Sequence, residues 1–127
     1  MTSLPITSLT AAICGLVLVI LAIITGMQRT KTKTLLGFGT DDVLLKRIRT
    51  HGNFTETVPM ALILMALAEF QGAGQTLVCI TAALLLVGRG LHIIGILWTA
   101  MWARGLGMLL TIASILAPAG YLATISL

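Results

Sequence analysis

The chain has 127 residues, 57% of them hydrophobic and only 9% charged, with a mean hydropathy of +1.06. Soluble domains carry about 25% charged and about 45–50% apolar residues, so a water-soluble monomer is excluded, and so is disorder, which needs low hydrophobicity. The net charge of +4 does not mark a nucleic-acid partner, because six of the eight basic residues crowd between Arg29 and Arg49 beside apolar runs, the pattern of a cytoplasmic membrane edge.

A membrane-spanning helix takes about 20 residues, so the chain has room for about four spans and little else. The predicted fold is all-α, an integral membrane four-helix bundle forming one domain over residues 1–127. The first helix is expected over 6–27 and holds no charge. Its start, MTSLPITS, lacks a basic region and a cleavage site, which predicts a retained helix and not a signal peptide. A polar connection over 28–42 follows, ending in Thr40, Asp41 and Asp42, which suit a helix N-terminus. The second helix is expected over 43–70, polar in its first half and apolar in its second. Pro59 lies inside it and removes an N–H, which predicts a bend and an unpartnered Thr55 carbonyl. QGAG at 71–74 reads as a tight turn. The third helix is expected over 75–98, a hairpin over 99–103 and the fourth helix over 104–126. Cys14 and Cys79 stand alone in apolar runs, without disulfide or metal spacing, and read as buried small hydrophobes. The QGAG turn and both termini lack Lys and Arg. The positive-inside rule therefore predicts a cytoplasmic 28–42 loop, with both termini on the other side.

The informative residues are those foreign to a membrane. Counted from Val43, Arg49 lies about 9 Å and Glu56 about 20 Å into the second helix at 1.5 Å per residue. Counted back from Trp98, His92 lies about 9 Å and Arg89 about 14 Å into the third helix, at the same depth range. Spacings of four and three put Arg49, Asn53 and Glu56 on one helical face, and Arg89 and His92 share another. Ionised groups at that depth must be paired or wetted, so the two faces are expected to converge inside the bundle. One outcome is a structural Glu56–Arg89 pair. The other is a net positive pocket for an anionic, amide-rich ligand. There arginine forks bind carboxylates, Asn53 pairs with a peptide group and Glu56 receives an amino group.

The run RIRTHGNFTETVP at 47–59 resembles the signature of the membrane-associated proteins in eicosanoid and glutathione metabolism, the MAPEG family. Its Arg-x-His-x-Asn-x-x-Glu-x-x-Pro core is matched at Arg49, His51, Asn53, Glu56 and Pro59. The length, the loop GFGTDDVLLKRIR and the helix-one ending ITGMQR are similar to those of short bacterial members. The resemblance implies a multi-pass protein of the bacterial inner membrane, assembled as a homotrimer with glutathione between neighbouring subunits. It implies that Arg49, Asn53, Glu56, Arg89 and His92 hold the tripeptide and that Arg29 reaches in from the adjacent subunit. Arg104 would be catalytic, stabilising the glutathione thiolate that attacks a lipophilic substrate from the bilayer. Two positions depart from the pattern: Ile96 stands where catalytic members often carry Tyr, and Gly105 where a hydroxyl follows the arginine. They keep open a second reading, a non-catalytic glutathione-binding or scaffold protein with a decayed site.

Other features carry less. GFG at 37–39 and GRG at 88–90 lack a phosphate-loop context and read as loop and close helix packing. His51 reads as a subunit contact or a support for the site. A metal site is not expected, because arginines beside the histidines and Glu56 would repel a cation. Trp98 and Trp102 flank the hairpin as interfacial anchors, and Tyr121 lies too far along the last helix to serve the pocket.

Overall fold

The computed structural model describes residues 3–127; Met1 and Thr2 of the MTSLPITS start lie outside the described residues. Four helices follow in chain order: α1 (Pro5–Thr32), α2 (Asp42–Phe70), α3 (Gln75–Leu97) and α4 (Met101–Ser126). Helix α1 runs past the predicted Met27. The Thr30 and Thr32 hydroxyls donate back to the carbonyls of Gly26 and Gln28, and Arg29 and Lys31 sit in the last turn, where cations suit the carbonyl end of the dipole. The helix stops at Lys33, which takes a left-handed conformation with φ 53°.

Helices α1 and α2 are clasped at both ends. At one end Asp41 accepts from the Leu44 N–H at 2.6 Å, capping α2, and from Gln28 Nε2 at 2.9 Å. At the other end Glu69 accepts from the N–H groups of Ile6 (3.2 Å) and Thr7 (2.9 Å). Those amides belong to the first turn of α1, which has no intrahelical acceptors for them. The two helices are therefore antiparallel and cover the same span. Helix α2 is continuous through Pro59.

The sequence predicts four spans, but among the described residues only α1, α3 and α4 are long and apolar enough to cross a membrane by themselves. Helix α2 falls short because its first half carries Lys46, Arg47, Arg49, His51, Asn53 and Glu56. With 29 residues it is about 43 Å long, enough to run beside α1 from end to end.

Helix α4 begins at Met101, three residues before the predicted Arg104, so the hairpin shrinks to a turn at 98–100, with Thr99 at φ 57°. Helices α3 and α4 are the most closely packed pair. A Cβ added to Gly88 would lie 2.9 Å from the Thr111 nitrogen, and one on Gly107 would lie 2.5 Å from the His92 nitrogen. Small residues let the two backbones touch, which is how helices associate where lipid competes for every apolar side chain. Cys14, Leu21, Phe54, Val58, Ala61 and Leu85 form the main core, with Met65, Val78 and Ala82 below. Cys79 corrects the sequence reading. It is exposed while Cys14 is buried, because Val78 takes the inward position and turns the next residue out. The outer faces of α1 carry Leu9, Leu16, Val19 and Ile20, all exposed, as a surface meeting lipid tails must.

Candidate functional site

The site lies at the end of the bundle that holds the α1–α2 loop and the α3–α4 turn. Three shallow cavities open there, and Asn53 borders all of them. The first, about 200 Å³, lies among Lys46, Arg49 and Asn53 of α2, Gly95 and Ile96 of α3, and Arg104 of α4. The second, about 240 Å³, is bordered by Asn53, His92, Arg104, Gly105 and two methionines, Met101 and Met108. The third, about 190 Å³, joins Arg49, Asn53 and Glu56 to Phe38 of the loop. Together they make one furrow with Lys46, Arg49 and Arg104 against a single carboxylate, Glu56. Its field is net positive.

The predicted face of α2 forms as the spacing requires. Arg49 and Glu56 are exposed and Asn53 is half-buried between them. Asn53 Nδ2 donates to the Arg49 carbonyl one turn back at 2.8 Å, which fixes the amide plane. An amide tied through its nitrogen keeps an oxygen free to accept from a ligand N–H.

Arg89 and His92 are both buried, at 3% and 4% exposure. Arg89 stands behind the furrow and ties three helices together. Its Nε donates to Thr111 Oγ1 of α4 at 2.8 Å, and its Nη1 to Thr57 Oγ1 at 3.2 Å and the Asn53 carbonyl at 3.4 Å on α2. The two polar faces do converge, but through threonines and a carbonyl. Glu56 receives none of these bonds. His92 lies 3.2 Å through Nδ1 from the Arg104 carbonyl. A carbonyl only accepts, so Nδ1 carries the hydrogen, and a neutral ring then presents Nε2 as an acceptor. Neither His92 Nε2 nor Arg89 Nη2 has a partner.

Arg29 lies apart from the other predicted residues. It borders a separate groove of about 290 Å³ with Thr25, Gly26, Ile48 and His51, on the α1 side of α2. Its Nη1 donates to the carbonyls of Thr34 (3.3 Å) and Gly37 (3.0 Å), holding the α1–α2 loop. Within one chain the structure thus brings Arg49, Asn53, Glu56, His92 and Arg104 around one furrow, places Arg89 behind it and leaves Arg29 on another flank. Lys46, Phe38, Thr57 and Thr111 escape the sequence reading. Thr57 could have been found as the next step of the Asn53 face. Phe38 carries no sequence signal, because the loop alone decides where it falls.

Residues 7–124 match the MAPEG family. The chain belongs to that family. The inner membrane protein YecN of Escherichia coli strain K12 is 37% identical over 67 residues, covering 53% of this chain and 51% of the relative. The same protein of Escherichia coli O6:H1 strain CFT073 matches to the same extent. The chain spans about half the length of the curated relatives it matches. No solved structure matches it. Three helices able to cross a membrane and an inner-membrane relative make this MAPEG chain a multi-pass protein of the bacterial inner membrane.

Proposed function

We propose that the chain is a membrane-embedded glutathione-binding protein that works as a glutathione transferase or peroxidase on lipophilic electrophiles or hydroperoxides. The observation that carries this reading is the furrow around Asn53, where two arginines and a lysine face one carboxylate at the open end of an apolar bundle. Glutathione offers the complementary set. Arg49 and Lys46 take its carboxylates, Glu56 its amino group, and the Asn53 amide oxygen a peptide N–H group. Arg104 borders the same furrow beside Met101 and Met108, so the cation meets apolar side chains suited to a substrate arriving from lipid.

A cation beside the sulfur favours the thiolate, which is the nucleophile. The thiol proton leaves to solvent. The thiolate forms a carbon–sulfur bond, and the leaving group departs with its electron pair. With a hydroperoxide the thiolate takes the terminal oxygen as the O–O bond breaks, and the alkoxide is protonated to the alcohol. A second glutathione then converts the sulfenic acid to disulfide and water.

Arg29 supports a homotrimer in this reading. Its groove lies on the α1 side of α2, and the family resemblance implies that it serves the furrow of a neighbouring copy. Arg49 and Glu56, exposed at depth in one chain, gain their cover from the same contact. Mass measurement of gently solubilised protein is expected to give three copies; a stable monomer with full glutathione affinity contradicts it.

Ile96 favours a second reading. It lines the furrow without a hydroxyl, which suits a non-catalytic glutathione-binding or scaffold protein. Conjugation of 1-chloro-2,4-dinitrobenzene, with glutathione binding measured in parallel on solubilised protein, separates the two. Binding with turnover supports the enzyme. Binding alone supports the scaffold, and absence of binding removes both.

A further inference from the structure

The structure assigns Gly95 the role of a positioning residue for Arg104: the missing side chain seats the arginine's backbone directly on α3. The inference rests on the reading of Arg104 as the group that acts on the glutathione sulfur. A Cβ at Gly95 would lie 2.3 Å from the Arg104 nitrogen, 2.5 Å from its Cα and 2.7 Å from its Cβ. These are backbone and near-backbone atoms, which cannot swing aside as the end of a long side chain can. No other glycine of the chain meets its neighbours so closely.

A second restraint holds the same residue. One turn earlier on α3, His92 Nδ1 donates to the Arg104 carbonyl at 3.2 Å. Arg104 is thus fixed at its nitrogen side by contact with Gly95 and at its carbonyl by His92. Its own N–H is spent on the Ala100 carbonyl at 3.1 Å. The arginine lies in the first turn of α4, just after a turn of three residues, where a helix end is otherwise free to fray. Gly95 also borders the furrow alongside Arg104, so the contact that sets the backbone lies at the wall of the site itself. A displacement of about 1 Å in a reacting constellation can remove about a hundredfold in rate. A methyl group here must push Arg104 by at least that much to reach ordinary contact.

The test compares Gly95→Ala with Gly88→Ala. Gly88 packs equally on the nitrogen and the hydroxyl of Thr111 in the same α3–α4 seam, two turns deeper, and reports what loosening the seam, the Arg89 acceptor included, does without touching Arg104. Gly95→Ala is expected to keep glutathione affinity within a few-fold, to raise the pKa of the bound thiol and to lower kcat by about tenfold to a hundredfold. Gly88→Ala is expected to leave the thiol pKa unchanged. The His92 ring-nitrogen resonances in nitrogen-labelled protein supply a readout that needs no ligand: they shift in Gly95→Ala as the bond to the Arg104 carbonyl loosens. If both alanine variants move the thiol pKa and the His92 signal alike, the seam matters only for packing and the proposal is overturned. It is overturned equally if Gly95→Ala moves neither. Wild-type protein that takes no glutathione refutes the functional reading, and the His92 signal still decides whether Gly95 seats Arg104. Should Gly95→Ala fail to assemble, His92→Leu at saturating glutathione removes the second restraint without adding volume. An unchanged thiol pKa there overturns the proposal.

Discussion

A guanidinium at 3% exposure has two ways to survive in a low dielectric: a counter-ion, or enough neutral acceptors. Arg89 takes the second. Thr111 is fully buried and accepts from Nε while its own hydroxyl donates to the Gly107 carbonyl at 2.8 Å. Thr111→Val keeps the shape and removes the acceptor. It is expected to destabilise the protein by about 1–3 kcal/mol, read as a lowered midpoint of unfolding in detergent, whereas Thr111→Ser stays near wild type. Equal stability of the two variants would show that Arg89 does not depend on this bond. In the proposed mechanism Arg104 has a different task. Arg104→Ala is expected to leave glutathione affinity within a few-fold and to raise the bound thiol's pKa, followed by thiolate ultraviolet absorbance against pH. An unchanged pKa would move the activating role to another residue. The depth of Arg89 and His92 was legible from their distance to the helix end. The partners were not: a carboxylate at matching depth makes Glu56 the obvious mate, while a threonine in an apolar run looks like helix filler until the neighbouring helix is known.

At the scale of elements, the clasp at the loop end makes a pH prediction. The Asp41 carboxyl is held below the ordinary carboxylate value, first by the Gln28 side-chain amide and then by the Leu44 N–H, with Lys31 and Arg47 adding to the pull against partial burial. A depressed native pKa means that the folded protein favours the charged form. The stabilisation is therefore complete above the unfolded value of about 3.9 and fades as pH falls through the lower native value. Protection of the Leu44 amide, its exchange rate relative to the unstructured chain at the same pH, is expected to fall on acidification in that window, and Asp41→Asn is expected to flatten the response. An identical pH profile in Asp41→Asn would place the titrating group elsewhere. Asp41 as a cap was readable from its place before an apolar pattern. The clasp was not, because Gln28 sat in what looked like a loop. The boundary errors share one cause: Thr30 and Thr32 bond back to their own helix, and α4 starts before its charged residue. Helix ends follow hydrogen bonding, whereas the sequence marks only the ends of hydrophobicity.

For the whole molecule, one end gathers the basic residues from Arg29 to Arg49 together with Arg104, while the far end holds the Glu69 clasp and the Tyr121 hydroxyl, 3.4 Å from the Gln71 carbonyl. From this asymmetry the positive-inside rule predicts an orientation, with 28–42 cytoplasmic and both termini outside. Single cysteines introduced at Ser126 and at Lys33 in a cysteine-free background are expected to react with an impermeant reagent from outside and from the cytoplasm respectively. Reversed labelling would invert the molecule. The shortfall of α2 in hydropathy bears on how such a chain is made. A nascent helix whose leading half carries Lys46, Arg47, Arg49, His51, Asn53 and Glu56 does not partition into lipid by itself. It must enter against α1, already in place, with the two ends of that partner offering amides to Glu69 and an amide side chain to Asp41. The polar half proposed to bind glutathione is thus also the part whose insertion is borrowed from a neighbour. A defect in either clasp is therefore expected to lower the yield of inserted chain before it alters the site.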